Sequence, residues 1–243
     1  MGRRKVPTVE FVTHSPRITE MFPPVAAGKA MPEWWRSQPP FLKDRKYPNL
    51  RVRQDTTIKS CPGISDYMGL GYVLPMWADY IVTAIDGGFT WDAACPPQVD
   101  VFQPEIWDHY PRPEGTHAWM LKIIAPWYIR TPKGWSVLLQ GPAYHPSPYW
   151  TVFPGVLDSD RCPVLNLICM WHAPIGQAVL IKAGTPLFHV IPFRREKLAI
   201  DIKGDKEEFD TMTGNGVGAI NNWSRLAYGA YREDRLKEGL PGG

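Results

Sequence analysis

The chain has 243 residues and a formal net charge of +3, which suits one β-domain with extensions or two small domains and does not point to nucleic acid. Its 26 prolines, about 11% of residues, follow no G-X-Y period and leave little room for long helices, because an interior proline costs about 3 kcal/mol; collagen and helical bundles are excluded. No apolar run approaches the roughly 18 residues of a membrane-spanning helix, so no membrane partner is expected.

Residues 1–55 hold eleven Lys/Arg against five Asp/Glu, and the remainder holds sixteen against nineteen. Pro7, Pro16, Pro23, Pro24, Pro32, Pro39, Pro40 and Pro48 punctuate this basic leader, which reads as an extended arm. Met31–Arg36 is the one stretch fit for a helical turn, with Pro32 at its first position. Such an arm cannot bury its own aromatics. Phe11, Phe22, Trp34, Trp35 and Phe41 therefore need a surface supplied by the body or by another chain, and are expected at an interface.

Residues 56–193 read as the body. A short helix is predicted over Ile64–Met68, stopped by Gly69 and Gly71. Tyr72–Thr83 is strand-rich, Asp86-Gly87-Gly88 signals a hairpin, and Phe89-Thr90-Trp91 resumes the strand. Further strands are predicted at Val99–Phe102, Ala118–Arg130, Trp135–Gln140, Tyr149–Phe153, Val156-Leu157, Val164–Trp171, Ala178–Lys182 and Pro186–Pro192. Short strands at about ten-residue spacing indicate a mainly β fold, a sandwich, jelly roll or barrel. Residues 194–243 read as a charged linker and a helix over Ile220–Glu238.

Chemistry-bearing patterns are sparse. The six histidines (His14, His109, His117, His145, His172, His189) show no HxH, HxxxH or HxD spacing, so no metal and no cofactor is expected. A site assembled in space from His117, His172 and Asp79 stays open. Cys61, Cys95, Cys162 and Cys169 form no CxxC pair and read as buried thiols. There is no G-x-S-x-G and no P-loop, so no catalytic residue is assigned. The acid-rich turn Leu157-Asp158-Ser159-Asp160-Arg161 offers two carboxylates and a guanidinium, the candidate binding residues Asp158, Asp160 and Arg161; the same carboxylates could instead cap backbone N–H groups of the turn.

Two resemblances rest on these motifs. The run Thr131-Pro132-Lys133-Gly134, then Pro154-Gly155-Val156-Leu157-Asp158-Ser159-Asp160, then the strand from Ile181 to Phe193, resembles in order the core of trimeric dUTPases and dCTP deaminases. That likeness implies a related, β-clip-like body, with the first Asp of the turn orienting a water. The family's Arg-Ser-Ser phosphate motif is replaced by Gln140-Gly141-Pro142, and its aromatic by Arg161, so the phosphate contacts that steady a leaving group are missing. Separately, Pro32-Glu33-Trp34-Trp35, Lys59–Asp66, Gly71–Asp79 and Ile191–Glu196 resemble a protein family of tailed bacteriophages, notably cyanophages, and some bacteria; no catalytic residue carries over from it. This resemblance implies a phage or bacterial origin; together with the absent catalytic sets and the proline-stiffened arm it leads to the expectation of a virion structural protein, a capsid-associated, decoration or neck component acting in many copies through protein–protein contacts with other virion proteins. The virion, with the host cytoplasm during assembly, is its expected place. The alternative is an auxiliary phage or bacterial enzyme, or a nucleotide-like small-molecule binder using the β-body.

Overall fold

The computed structural model describes residues 6–42, 57–93 and 99–213, together with Lys237. Strands form at Glu10–Val12 (β1), Val25–Ala26 (β2), Tyr72–Pro75 (β3), Tyr80–Ile85 (β4), Gly88–Ala93 (β5), Val99–Phe102 (β6), Met120–Arg130 (β7), Trp135–Gln140 (β8), Trp150–Val152 (β9), Gly155–Leu157 (β10), Val164–Trp171 (β11), Ala178–Ile181 (β12) and Pro186–Arg194 (β13). The fold is mainly β, as expected, with antiparallel sheets around one apolar core.

The chain divides into two compact units, Met1–Arg36 with Leu70–Arg195, and Ser37–Gly69 with Glu196–Gly243. The first holds every strand above. One sheet runs β1-β7-β11-β9 with β6 also on β7, a second runs β10-β8-β13-β3-β2, and a third runs β12-β4-β5. β7 and β11 alternate along most of their length: Leu121, Ile123, Ala125, Trp127 and Ile129, and Leu165, Leu167 and Cys169, are buried, while Lys122, Ile124, Asn166 and Ile168 between them are half-buried, so one face of the sheet meets the core. β7 also absorbs Pro126. β6 covers Met120–Ile123 and β1 covers Tyr128–Arg130, so the proline falls in the interval between two partners, where a missing N–H interrupts the ladder least. Asp86-Gly87 makes the two-residue turn of the β4–β5 hairpin, with Gly87 at φ 89°. The predicted strand over Tyr72–Thr83 is split into β3 and β4. Met76, at the break, exchanges backbone bonds with Thr185 and Gly184, so the chain leaves one sheet for another there.

The leader departs most from expectation. Residues 6–36 are not an extended arm awaiting another chain. β1 adds to β7, β2 adds to β3, and between them Pro16–Met21 forms a helix (α1) whose N-cap Ser15 accepts from the Ile18 N–H. Phe11 and Phe22 pack against the body's core, Phe11 edge-on to Tyr72 at 5.4 Å. A second helix, Glu33–Ser37 (α2), buries Trp35, and the Trp34 Nε1–H donates to the Tyr144 carbonyl at 3.1 Å. Phe11, Phe22 and Trp35 find their surface within the same unit, while Phe41, 61% exposed, and Trp34, 42% exposed, keep part of the open character expected of all five.

In the second unit Thr57 caps a 3₁₀ turn at Ile58–Ser60, and Pro62–Gly69 forms a helix (α3) that contains the predicted Ile64–Met68 and begins two residues earlier, with Pro at its start. Lys206–Thr213 forms a short helix (α4) within the stretch expected to be a charged linker. Asp205 Oδ1 accepts from the Glu207 and Glu208 N–H groups, and those two acids sit on the positive end of the helix dipole. The helix predicted over Ile220–Glu238, the Gly214–Gly218 connector and the basic stretches at residues 3–5 and 43–53 lie outside the described residues. Of the cysteines, Cys169 is buried, and burial pushes its thiol up to about 12. Cys61 and Cys162, expected buried, are exposed because each sits in a turn rather than on a core-facing strand; Cys95 lies outside the described residues.

Candidate functional site

Sheet register brings the acid turn and the end of the last strand to one place. β10 runs antiparallel to β8 with Leu157 opposite Val137, so the next residue, Asp158, meets Ser136. β13 lies on the other side of β8 with Phe193 opposite Ser136, so Arg195 meets Gly134, and its backbone N–H donates to the Gly134 carbonyl at 2.8 Å. Three strand ends therefore converge on the turn that opens β8.

Their side chains close a network. The Ser136 hydroxyl donates to Asp158 Oδ1 at 2.7 Å, and Arg195 Nη1 lies 2.8 Å from the same oxygen. Arg195 also forks onto Asp160, with Nη1 to Oδ1 at 2.9 Å and Nη2 to Oδ2, while the Gly134 N–H donates to Oδ2 at 2.8 Å. Beside it the buried Thr131 and Ser159 hydroxyls bond each other at 2.7 Å. Asp160 is nearly enclosed, at 5% side-chain exposure, whereas Asp158 is 46% exposed.

The electrostatics follow from these contacts. The Arg195 fork and then the Gly134 N–H hold the Asp160 carboxyl down at about 2. The Ser136 hydrogen bond and then Arg195 lower Asp158. Arg161, named with them from the sequence, acts on both carboxylates only through its charge; its backbone N–H is tied to the Asp158 carbonyl at 2.8 Å. The three predicted residues are neighbours, but they do not form a free triad. The turn does cap a backbone N–H, that of Gly134, and the dominant partner is Arg195, which the sequence reading carried only inside the Ile191–Glu196 motif. Its signal was a basic residue just past the last core strand. Its partner sits 35 positions earlier, beyond the reach of local spacing.

A carboxylate held this low stays ionised and is a weak proton acceptor near neutrality, so the geometry favours fastening over acid–base work. It also sets an acid response. Asp160 falls from an ordinary 3.8 to about 2 on folding, so its stabilisation is present above pH 3.8 and is lost as pH falls towards 2. His189 enters earlier. It is buried, its Nε2–H donates to the Leu70 carbonyl at 2.7 Å, and burial lowers it from 6.5, so stability drops as pH falls below 6.5. We expect the urea midpoint to decline first below pH 6.5 and again below pH 4. Arg195→Ala should lower the neutral-pH midpoint and flatten the second decline, whereas Arg161→Ala should change both far less. Equal effects of the two substitutions would contradict the network.

The other sequence candidates are engaged separately. Asp79 Oδ1 accepts from the Ala183 N–H at 2.7 Å. His117 donates from Nε2 to the Ile85 carbonyl at 3.1 Å and accepts the Trp119 N–H at Nδ1. His172 bonds the hydroxyls of Thr151 and Thr116, and burial lowers it. Among the described residues no three His, Cys, Asp or Glu side chains converge as metal ligands, and no described helix is long and apolar enough to cross a membrane. An open cleft of about 320 Å³ runs past Gln140, Ser147, Trp150, Thr151 and Pro186.

Against known proteins, no family model matches the chain, and no curated protein does. Among solved structures, the native dUTPase of EIAV is similar at 12% identity over 51% of this chain and 92% of that one, with a TM-score of 0.30. That makes it a weak structural neighbour, and a score so low carries no argument about this chain.

Proposed function

We propose that this chain is a structural protein of a bacteriophage particle, a capsid-associated, decoration or neck component that works in many copies through protein–protein contacts. The observation that carries the reading is the use made of the acid turn. Asp158 and Asp160, the carboxylate pair an enzymatic reading would need, are held by Arg195, Ser136 and Gly134 as a fastening between strand ends. The resemblance of Pro32–Trp35, Lys59–Asp66, Gly71–Asp79 and Ile191–Glu196 to a tailed-phage family supports the origin. The outward face of the β12-β4-β5 sheet supports the mode of action. Ile81, Ile85 and Leu180 are exposed there beside Ile175, and neighbouring subunits would cover such apolar side chains. Residues 6–36 are built into the chain's own sheets, so the contacts fall on sheet faces and edges rather than on a leading arm.

Mass spectrometry of purified particles is expected to find the chain at many copies per particle. Its absence from particles made by cells that express it would sink the proposal. A second reading, an auxiliary enzyme or a protein that binds a nucleotide-like small molecule, has the cleft at Gln140, Ser147 and Thr151 in its favour. Native mass spectrometry with nucleoside mono-, di- and triphosphates decides between them, since a bound nucleotide at fixed stoichiometry would favour the second.

A further inference from the structure

The run Lys197-Leu198-Ala199-Ile200-Asp201-Ile202-Lys203 alternates apolar with small or charged residues at a period of two, the pattern of a half-buried strand. Residues two apart share a face only in extended chain, so no helix could use this pattern. Yet the segment belongs to no sheet, and Leu198, Ile200 and Ile202 are 89%, 88% and 86% exposed. A sheet edge is the one surface that supplies backbone partners and apolar neighbours together.

The β-body carries such an edge. β12 pairs with β4 on one side only, in unbroken register. Proteins usually blunt an edge with charge, proline, a bulge or extreme shortness. β10, followed by Asp158, and β9 have three residues each with Pro154 between them, and β2 has two residues after Pro23-Pro24. β12, with Ala178-Val179-Leu180-Ile181, has no charge, proline or bulge within the strand, and Lys182 stands just past its end. Leu180 stands opposite Ile81, and both are exposed.

We infer that residues 197–203 add as a strand to β12 of a second copy of this chain. A second copy is the occupant because donor and acceptor are both on this chain, in a ratio of one to one, so reciprocal exchange between two copies uses every donor and closes as a dimer. In the register that puts Ile200 and Ile202 on the side of Val179 and Ile181, Lys197, Asp201 and Lys203 stay in water. The inference deepens the multi-copy reading and rests on it.

The test uses the full chain from about 1 to 100 μM, in sedimentation velocity and hydrogen exchange. Wild type should self-associate, and the amides of residues 197–203 should slow at least tenfold as concentration rises. The variant Leu198→Lys with Ile200→Lys and Ile202→Lys alters only exposed side chains, so it should melt as wild type does and remain monomeric. A monomeric wild type, undiminished association of the variant, or protection that ignores concentration would each overturn the inference. Particle proteomics reads incorporation independently, so a chain that is monomeric in solution but present in particles would refute the strand pairing and leave the proposed function in place.

Discussion

Deleting residues 1–31 is expected to unfold the β-body. The deletion removes β1 from the flank of β7 and β2 from the flank of β3, along with the hydrogen bond between His145 Nε2 and the Ala30 carbonyl at 2.8 Å. It also strips Val9, Phe11, Ile18 and Phe22 from the core they partly cover, and the buried Ala27. Full burial of a large apolar side chain is worth about 1.5–3 kcal/mol, so four half-buried ones supply on the order of 4 kcal/mol before any ladder is counted. The whole stability of a domain is about 5–15 kcal/mol. The truncated chain should therefore be insoluble, or lose its near-ultraviolet circular dichroism and its cooperative melt. A free arm would behave oppositely, and a truncated chain that melts within a few degrees of wild type would refute this account of the leader.

Gly71→Ala should be as damaging from a single methyl group. Gly71 sits between α3 and β3 at φ +73°, and its carbonyl accepts the Ala27 N–H at 3.0 Å. A Cβ there would run into the Val190 carbonyl oxygen and come within 3.1 Å of the Ile191 Cα. Neither can retreat, because β13 is held by β3 on one side and β8 on the other. The left-handed conformation alone costs about 1–2 kcal/mol for a residue with a Cβ. With the backbone clash the loss should exceed about 4 kcal/mol, at the far end of single substitutions. Gly69→Ala, where a Cβ meets nothing within 4 Å, is the control. A Gly71→Ala protein with a near-normal melting midpoint would show that β13 yields more than its pairing implies.

The candidate site was half legible. Asp158 and Asp160 stand out because acids two apart after a Gly-Val-Leu strand form a recognisable turn. Their meaning depends on Arg195, and nothing between Asp160 and Arg195 in the chain marks the pair. The link is made by β8, which both β10 and β13 use as a partner. Arg161 adjoins the pair in sequence, yet the turn geometry gives Arg195 the fork.

By itself the sequence determined where strands would lie and what class of fold they would build. Val164–Trp171, Trp135–Gln140 and Val99–Phe102 formed as read, and so did the hairpin at Asp86-Gly87, because β-propensity and turn chemistry act over a few neighbouring residues. The tertiary structure alone decided which strands pair. It sent Phe11 and Phe22 into the chain's own core rather than to another molecule, broke Tyr72–Thr83 into strands of two sheets, and gave the acid turn to Arg195. Many edges and faces offer an apolar side chain or a carboxylate similar local chemistry, and the choice among them is made by simultaneous packing of residues far apart in the chain, which no local pattern records.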